Sequence, residues 1–226
     1  MEEKVRPNVK TSWIEKPVSP HIHKTSNVDP MATVIGDVTI GERVNIAPGA
    51  VIRGDEGTPI IIGNDSNIQD NVTIHSLRGK GVFIGERVSI GHGSIIHGPV
   101  NIGNGTFIGF SNVIFQCNIG DNCVIWHNAV VSGNITIPNG KFIESGMVID
   151  DNQKVKSLAD VPENLKRFAD EVVEVNKELT NGYLQLAKKH QSEKTMAVEK
   201  VKIIPQQTRR SNWMEFWQYL SDSLII

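Results

Sequence analysis

From Ile40 onward an aliphatic residue returns at every sixth position: Ile40, Ile46 and Ile52, then Ile62, Ile68 and Ile74, then Ile84, Ile90, Ile96, Ile102, Ile108 and Ile114. After a one-residue slip the series continues through Ile125, Val131, Ile137, Ile143 and Ile149. Six residues rotate an α-helix by about 600°, which would scatter these side chains around it. A six-residue step suits instead one side of a triangular coil. Three sides make about 18 residues, and coils stacked at the inter-strand spacing of about 4.8 Å bury every aliphatic column. Glycine follows the aliphatic residue at Gly36, Gly41, Gly63, Gly85, Gly91, Gly103, Gly109 and Gly120, as a repeated tight corner would require. The expected fold is a mostly β, parallel β-helix with columns 40/62/84/102, 46/68/90/108 and 52/74/96/114.

The series is interrupted between Ile52 and Ile62 and between Ile74 and Ile84. Residues 55–59 and 76–80 are read as loops inserted at a corner. The domain plan is an N-terminal arm over 1–27, the β-helix over 28–150, a C-terminal helix over 151–190, and a linker with an aromatic tail over 191–226. Pro162 and Glu163 form a helix start, and Leu165, Phe168, Ala169, Val172, Val175, Leu179, Tyr183 and Leu186 keep a helical stripe that should lie on the β-helix. Gly182 weakens that helix. Residues 191–210 read as polar or extended around Pro205. In the tail, Trp213, Phe216, Trp217, Leu220 and Leu224 have helical spacing, with Asn212 and Glu215 placed as a capping box. That stripe is either packing within an oligomer or an anchor for a protein partner.

Lys and Arg number 23 against 25 Asp and Glu, a net charge of -2, so there is no basic excess for nucleic acid. No apolar run reaches the roughly 20 residues of a membrane span, and the first residues lack an apolar signal segment, which together predict a cytoplasmic protein. Cys117 and Cys123 are assigned no role.

In the third column the residue after each inward isoleucine is Arg53, His75, His97 and Phe115. His75 and His97 should therefore stack about 5 Å apart, close enough for both imidazoles to reach one metal ion. His92 belongs to the adjacent side. Five extended steps from His97 span up to about 17 Å, so the three could share a metal only across a subunit interface, as in a cyclic trimer. Three histidines with a fourth position open describe a catalytic zinc site. A single surface histidine is more often merely solvated or hydrogen-bonded, and both readings stand at this point for the trio. His21, His23, His127 and His190 show no such register.

The stretches RGDEGTPIIIGNDSNIQDNVTIHSL and IGHGSIIHGPVNIGNGTFIGF resemble the gamma-class carbonic anhydrases, including relatives that form the N-terminal domain of a carboxysome scaffolding protein. The resemblance runs from about Val28 to Tyr183 and implies a left-handed β-helix. It also implies a homotrimer that hydrates carbon dioxide reversibly to bicarbonate and a proton, using a metal-bound hydroxide. His75, His92 and His97 are the implied metal ligands, with His92 given by the neighbouring chain. The metal would be Zn2+, with Fe2+ or Co2+ served by the same imidazole donors. Arg53 and Asp55 match the family's RxD pair at bicarbonate and the interface, and Asp70 matches the partner of that arginine. Gln69 matches the residue that hydrogen-bonds the hydroxide, Glu56 offers a proton acceptor, and Asn176 matches a helix asparagine near the carbon dioxide site. Two positions depart from the family. The loop Ser76, Leu77, Arg78, Gly79, Lys80 is short and basic where some members carry an acidic proton-shuttle loop, and Glu174 stands where a tyrosine precedes the helix asparagine.

Two other functions fit a hexapeptide ladder. One is a weakly catalytic or non-catalytic scaffold whose tail binds partners. The other is a hexapeptide acyltransferase with a histidine base, which leaves the three histidines and Gln69 without a purpose.

Overall fold

A computed structural model describes residues 4–203, with side chains through residue 193. The described residues divide into two units, one through residue 184 and one from residue 185 onward. The first is a left-handed parallel β-solenoid of about seven turns followed by a long helix. Its strands pair in parallel in the expected columns: Ile40 with Ile62, Ile62 with Ile84 and Ile84 with Ile102 on one side, Ile46 through Ile68 and Ile90 to Ile108 on the second, and Ile52 through Ile74 and Ile96 to Ile114 on the third. Their side chains form one continuous core, and Ile46, Ile52, Ile68, Ile74, Ile90 and Ile96 are fully buried. At about 1.5–3 kcal/mol for each fully buried isoleucine, this column packing is the main source of stability. The one-residue slip lies at Gln116, in the left-handed region at φ 52°, opposite the shift between His97 and Val100.

The glycines after the inward isoleucines have a different cause from the expected corner. Gly63, Gly85 and Gly103 do not have positive φ. A Cβ on Gly63 would lie 2.5 Å from the carbonyl carbon of Gly85, and one on Gly103 would lie 2.5 Å from that of Gly120. Close approach of stacked coils, not turn geometry, keeps side chains out there. The left-handed corner positions fall elsewhere, at residues such as Arg43, Asp65 and Arg87.

Coil structure also starts earlier than residue 28. His21–Ile22 pairs with Thr39 and Ile40, and Asn27–Val28 pairs with Asn45 and Ile46, so part of the segment read as an arm already belongs to the stack. At the other end, α1 (Asn152–Lys156) caps the open core with Val155 and Leu158, and the Asp151 side chain accepts the N–H groups of Gln153 and Lys154. A non-periodic DDNQKVK stretch hid that helix from the pattern.

The long helix, α2 (Glu163–Ile203), starts where Pro162 and Glu163 place it but extends beyond residue 190. Residues 191–203 are therefore helical rather than extended, with Pro205 two residues past the last helical position. Leu165, Ala169 and Val172 pack on Phe107, Val124, Trp126 and Phe142. Of the expected stripe, Phe168 touches Phe107 and Trp126 while staying partly exposed, and Val175, Leu179, Tyr183 and Leu186 are exposed; farther along, Val173, Asn176 and Thr180 are the less exposed positions. The tail helix expected at 212–224 lies outside the described residues.

Candidate functional site

Two clusters hold the singled-out residues. The first is on the third side of the coil. Arg53, His75, His97 and Phe115 occupy equivalent positions of successive strands. The His75 and His97 rings stand edge to face with centroids 5.0 Å apart, and His75 Nδ1 is 3.2 Å from His97 Nε2. The inserted loop 55–59 returns over this column. Asp55 Oδ1 lies 3.2 Å from His75 Nε2, while Asp55 Oδ2 accepts from Arg53 Nε at 3.0 Å. Glu56 Oε1 is 3.6 Å from the same histidine nitrogen, and its Oε2 accepts the Arg78 N–H at 2.9 Å. The second insertion, 76–80, braces the first: the Ser76 hydroxyl donates to the Thr58 carbonyl. Arg78 in turn lies over the Trp13 ring.

The second cluster lines a groove of about 250 Å3 on another side, bordered by Asn45, Gln69, Asp70, His92, Asn176 and Tyr183. Asn45 Nδ2 donates to Asn176 Oδ1 at 3.1 Å, and Asn176 Nδ2 donates to the Val172 carbonyl. Gln69 Nε2 donates to Asn67 Oδ1, leaving its buried Oε1 without a partner. His92 Nδ1 lies 2.8 Å from Asp70 Oδ2. Within one chain Asp70 thus faces His92, and the carboxylate beside Arg53 is Asp55. Asn45 and Asn67 were not singled out in the sequence, and Tyr183 was read only as part of the helical stripe. The two asparagines each precede an inward isoleucine of the second column, Ile46 and Ile68, and that register was the available signal.

His75 and His97 are thus brought together, and His92 is not with them: among the described residues no three His, Cys, Asp or Glu side chains form a metal-sized group. The donor chemistry suits a metal nevertheless. Two nitrogens bound at 2.0–2.1 Å to a tetrahedral ion lie about 3.3–3.4 Å apart, close to the His75–His97 separation of 3.2 Å. The buried His97 Nδ1 also lacks a partner. Cys117 and Cys123 are free and buried apart from either cluster, and burial pushes the Cys117 thiol up to about 12. No helix among the described residues is long and apolar enough to cross a membrane.

Residues 19–54 match the family model for bacterial transferase hexapeptide repeats. The chain is 38% identical over 184 residues to a carboxysome assembly protein, CcmM, of Nostoc, covering 77% of this chain and 33% of that one. It is 40% identical over 136 residues to a carbonic anhydrase of Methanosarcina thermophila, covering 52% of this chain and 55% of that one. This chain therefore spans about a third to a half of the length of these curated relatives. A solved hexapeptide transferase family protein of Anaplasma phagocytophilum superposes with a TM-score of 0.64 at 26% identity, covering 74% of this chain and 93% of the other. With its six-residue ladder, its stacked parallel coils and these relatives, the chain belongs to the hexapeptide-repeat family of left-handed β-helices.

Proposed function

We propose that the chain is a gamma-class carbonic anhydrase that works as a trimer, with His75 and His97 of one copy and His92 of the next holding a metal ion at each interface. The split donor set carries this reading. Two imidazoles sit at ligand separation on one side of the coil, and a third stands on another side beside an amide-lined groove. A closed three-fold arrangement brings such faces together three times. Zinc would suit the three imidazoles, and iron or cobalt would be held by the same donors. When bound, such an ion acts as a Lewis acid that lets water ionise near neutral pH.

The chain's own groups then have definite tasks. Gln69 has Nε2 tied to Asn67, so its unpartnered Oε1 is available to accept a hydrogen bond from the attacking group and orient it. Asn176, held by Asn45 and Val172, forms the wall beside it where carbon dioxide would rest. Arg53 is anchored to Asp55 through Nε, and its terminal nitrogens offer a planar fork to bicarbonate. Glu56 is fixed by the Arg78 N–H with one oxygen near His75, a position from which a carboxylate can take the released proton.

Stopped-flow carbon dioxide hydration on anaerobically purified protein, with metal counted on the same sample, tests this. Fast hydration at about one metal per chain is expected, and His92→Ala should lose both metal and rate. Full metal occupancy without hydration would overturn the reading. A second reading follows from the extent of similarity to the carboxysome assembly protein, which covers more of this chain than the similarity to the carbonic anhydrase does. In that case residues 191–226 would hold a protein partner, and deleting them would abolish its association while leaving hydration untouched.

A further inference from the structure

The corner of the coil that bears His92 carries a column of its own. Gly93 N–H donates to the Asp70 carbonyl, Ser111 N–H to that of His92, and Asn128 N–H to that of Phe110. Asp70, His92, Phe110 and His127 therefore occupy one position in four successive coils. Their side chains touch in sequence. Asp70 Oδ2 is 2.8 Å from His92 Nδ1, the His92 and Phe110 rings are 5.0 Å apart at 41°, and Phe110 stacks on His127 at 4.5 Å and 21°. The column is locked at its far end, where His127 Nδ1 accepts the Phe110 N–H at 3.0 Å and Trp126 packs on the His127 ring.

We infer that Asp70 and Phe110 are positioning residues that set His92 in one tautomer and one ring plane before any second copy arrives. This rests on the reading of His92 as a metal ligand. The electrostatics decide the tautomer. A carboxylate oxygen has only lone pairs to offer, so at 2.8 Å it repels an unprotonated Nδ1 and attracts an N–H there. The proton therefore stays on Nδ1, and Nε2 keeps its lone pair on the edge of the ring away from Asp70. Phe110 covers one face of that ring and, being held by His127, restricts its rotation. His92 is half-exposed, with Asp70 on one edge of its ring and Phe110 against it.

The test uses the full chain stripped of metal, at a pH where imidazole is neutral. Long-range proton–nitrogen correlation spectra should show His92 protonated on Nδ1. Asp70→Leu should move that proton to Nε2 and weaken zinc binding, measured by competition with a chelator, by about 10–100-fold. Asp70→Asn keeps an acceptor oxygen without the charge, and should restore the Nδ1–H form with an affinity between the two. Phe110→Ala should leave the tautomer alone and weaken zinc binding by less than Asp70→Leu does. Circular dichroism establishes that each variant is folded. A wild-type proton on Nε2, or zinc binding in a folded Asp70→Leu chain as tight as in wild type, would overturn the inference. Neither readout involves carbon dioxide. A chain with the expected tautomer and affinities but no hydration would therefore sink the anhydrase reading alone, and fast hydration with the wrong tautomer would sink the positioning alone.

Discussion

The two halves of α2 that face the solenoid are held by different forces. At the start, Leu165, Ala169 and Val172 rest on Phe107, Val124, Trp126 and Phe142, an apolar contact in which Phe107 also meets Phe168 edge to face at 5.4 Å. Beyond Val173 the contacts with the solenoid become polar, and Asp170 of the preceding turn joins them. Arg87 bridges Asp170 and Glu174 at 2.9 Å each, Lys177 reaches Glu174, and Asn176 meets Asn45. The change follows the outward column of the second coil side, which reads Asn27, Asn45, Asn67 and Ser89 in the early coils and Phe107, Val124 and Phe142 in the later ones. One end of the helix supplies stability, and the other leaves an amide-lined groove. A helix docked by apolar contact along its whole length would have no such groove.

Phe107→Ala breaks the apolar end and should have the largest effect. Phe107 is 2% exposed, and truncating a buried phenylalanine costs about 3–5 kcal/mol. Thermal unfolding should show a large drop in Tm, and a loss below about 1 kcal/mol would mean the apolar end is not what secures the helix. At the polar end, Asn176→Leu removes the acceptor of the buried Asn45 amide and should cost about 1–3 kcal/mol, less than the loss at Phe107. If the groove serves hydration, the same change should lower the rate by about tenfold, or about 1.4 kcal/mol on the barrier. Equal losses of stability in both variants would erase the distinction between the two ends.

How far this was readable in the sequence depended on period. The stacking of His75 on His97 followed from counting by six, because every coil repeats the same side with an offset known from the insertions. The amide column at Asn45 and Asn67 was equally periodic, though polar residues there looked like ordinary solvent-facing positions until a helix covered them. The stripe of Val175, Leu179 and Tyr183 misled because apolar spacing alone does not say which face docks. The buried face at that end is Val173, Asn176 and Thr180, chosen by the polar surface beneath it. The brace of Trp13 on Arg78 had no periodic signal, because it joins distant loops; Asp70 and His92 do share a register, each two residues after an inward isoleucine, but that spacing does not say that their side chains turn toward each other.

Acid should separate the two ends of the helix most selectively, with a smaller energetic effect than either substitution. Arg43 holds Asp65 through a two-pronged contact, Nε to Oδ1 at 2.7 Å and the second nitrogen to Oδ2 at 2.8 Å. That guanidinium keeps the Asp65 carboxyl below the usual carboxylate range, with Lys177 and Arg87 adding to the effect. Hydrogen bonds from Lys177 and Arg87 do the same for Glu174. A carboxylate whose folded pKa is depressed stabilises the native state fully above its unfolded value near 4, and that contribution is lost as pH falls through the lower folded value. The arginines stay charged throughout, so only the carboxylate side of each pair switches off. At the apolar end Lys141 likewise holds the Asp160 carboxyl below the usual range, but that carboxylate is exposed and lies before the helix, and the packing on Phe107 itself does not titrate, so this end should respond less. Hydrogen exchange followed from pH 5 to pH 2 should therefore show residues 173–183 losing protection before residues 163–169. Arg87→Met should bring part of that loss to neutral pH, by about 1 kcal/mol or less for so exposed a pair. If both segments open together at one pH, α2 is a single cooperative unit, and the ionic end contributes orientation without local stability of its own.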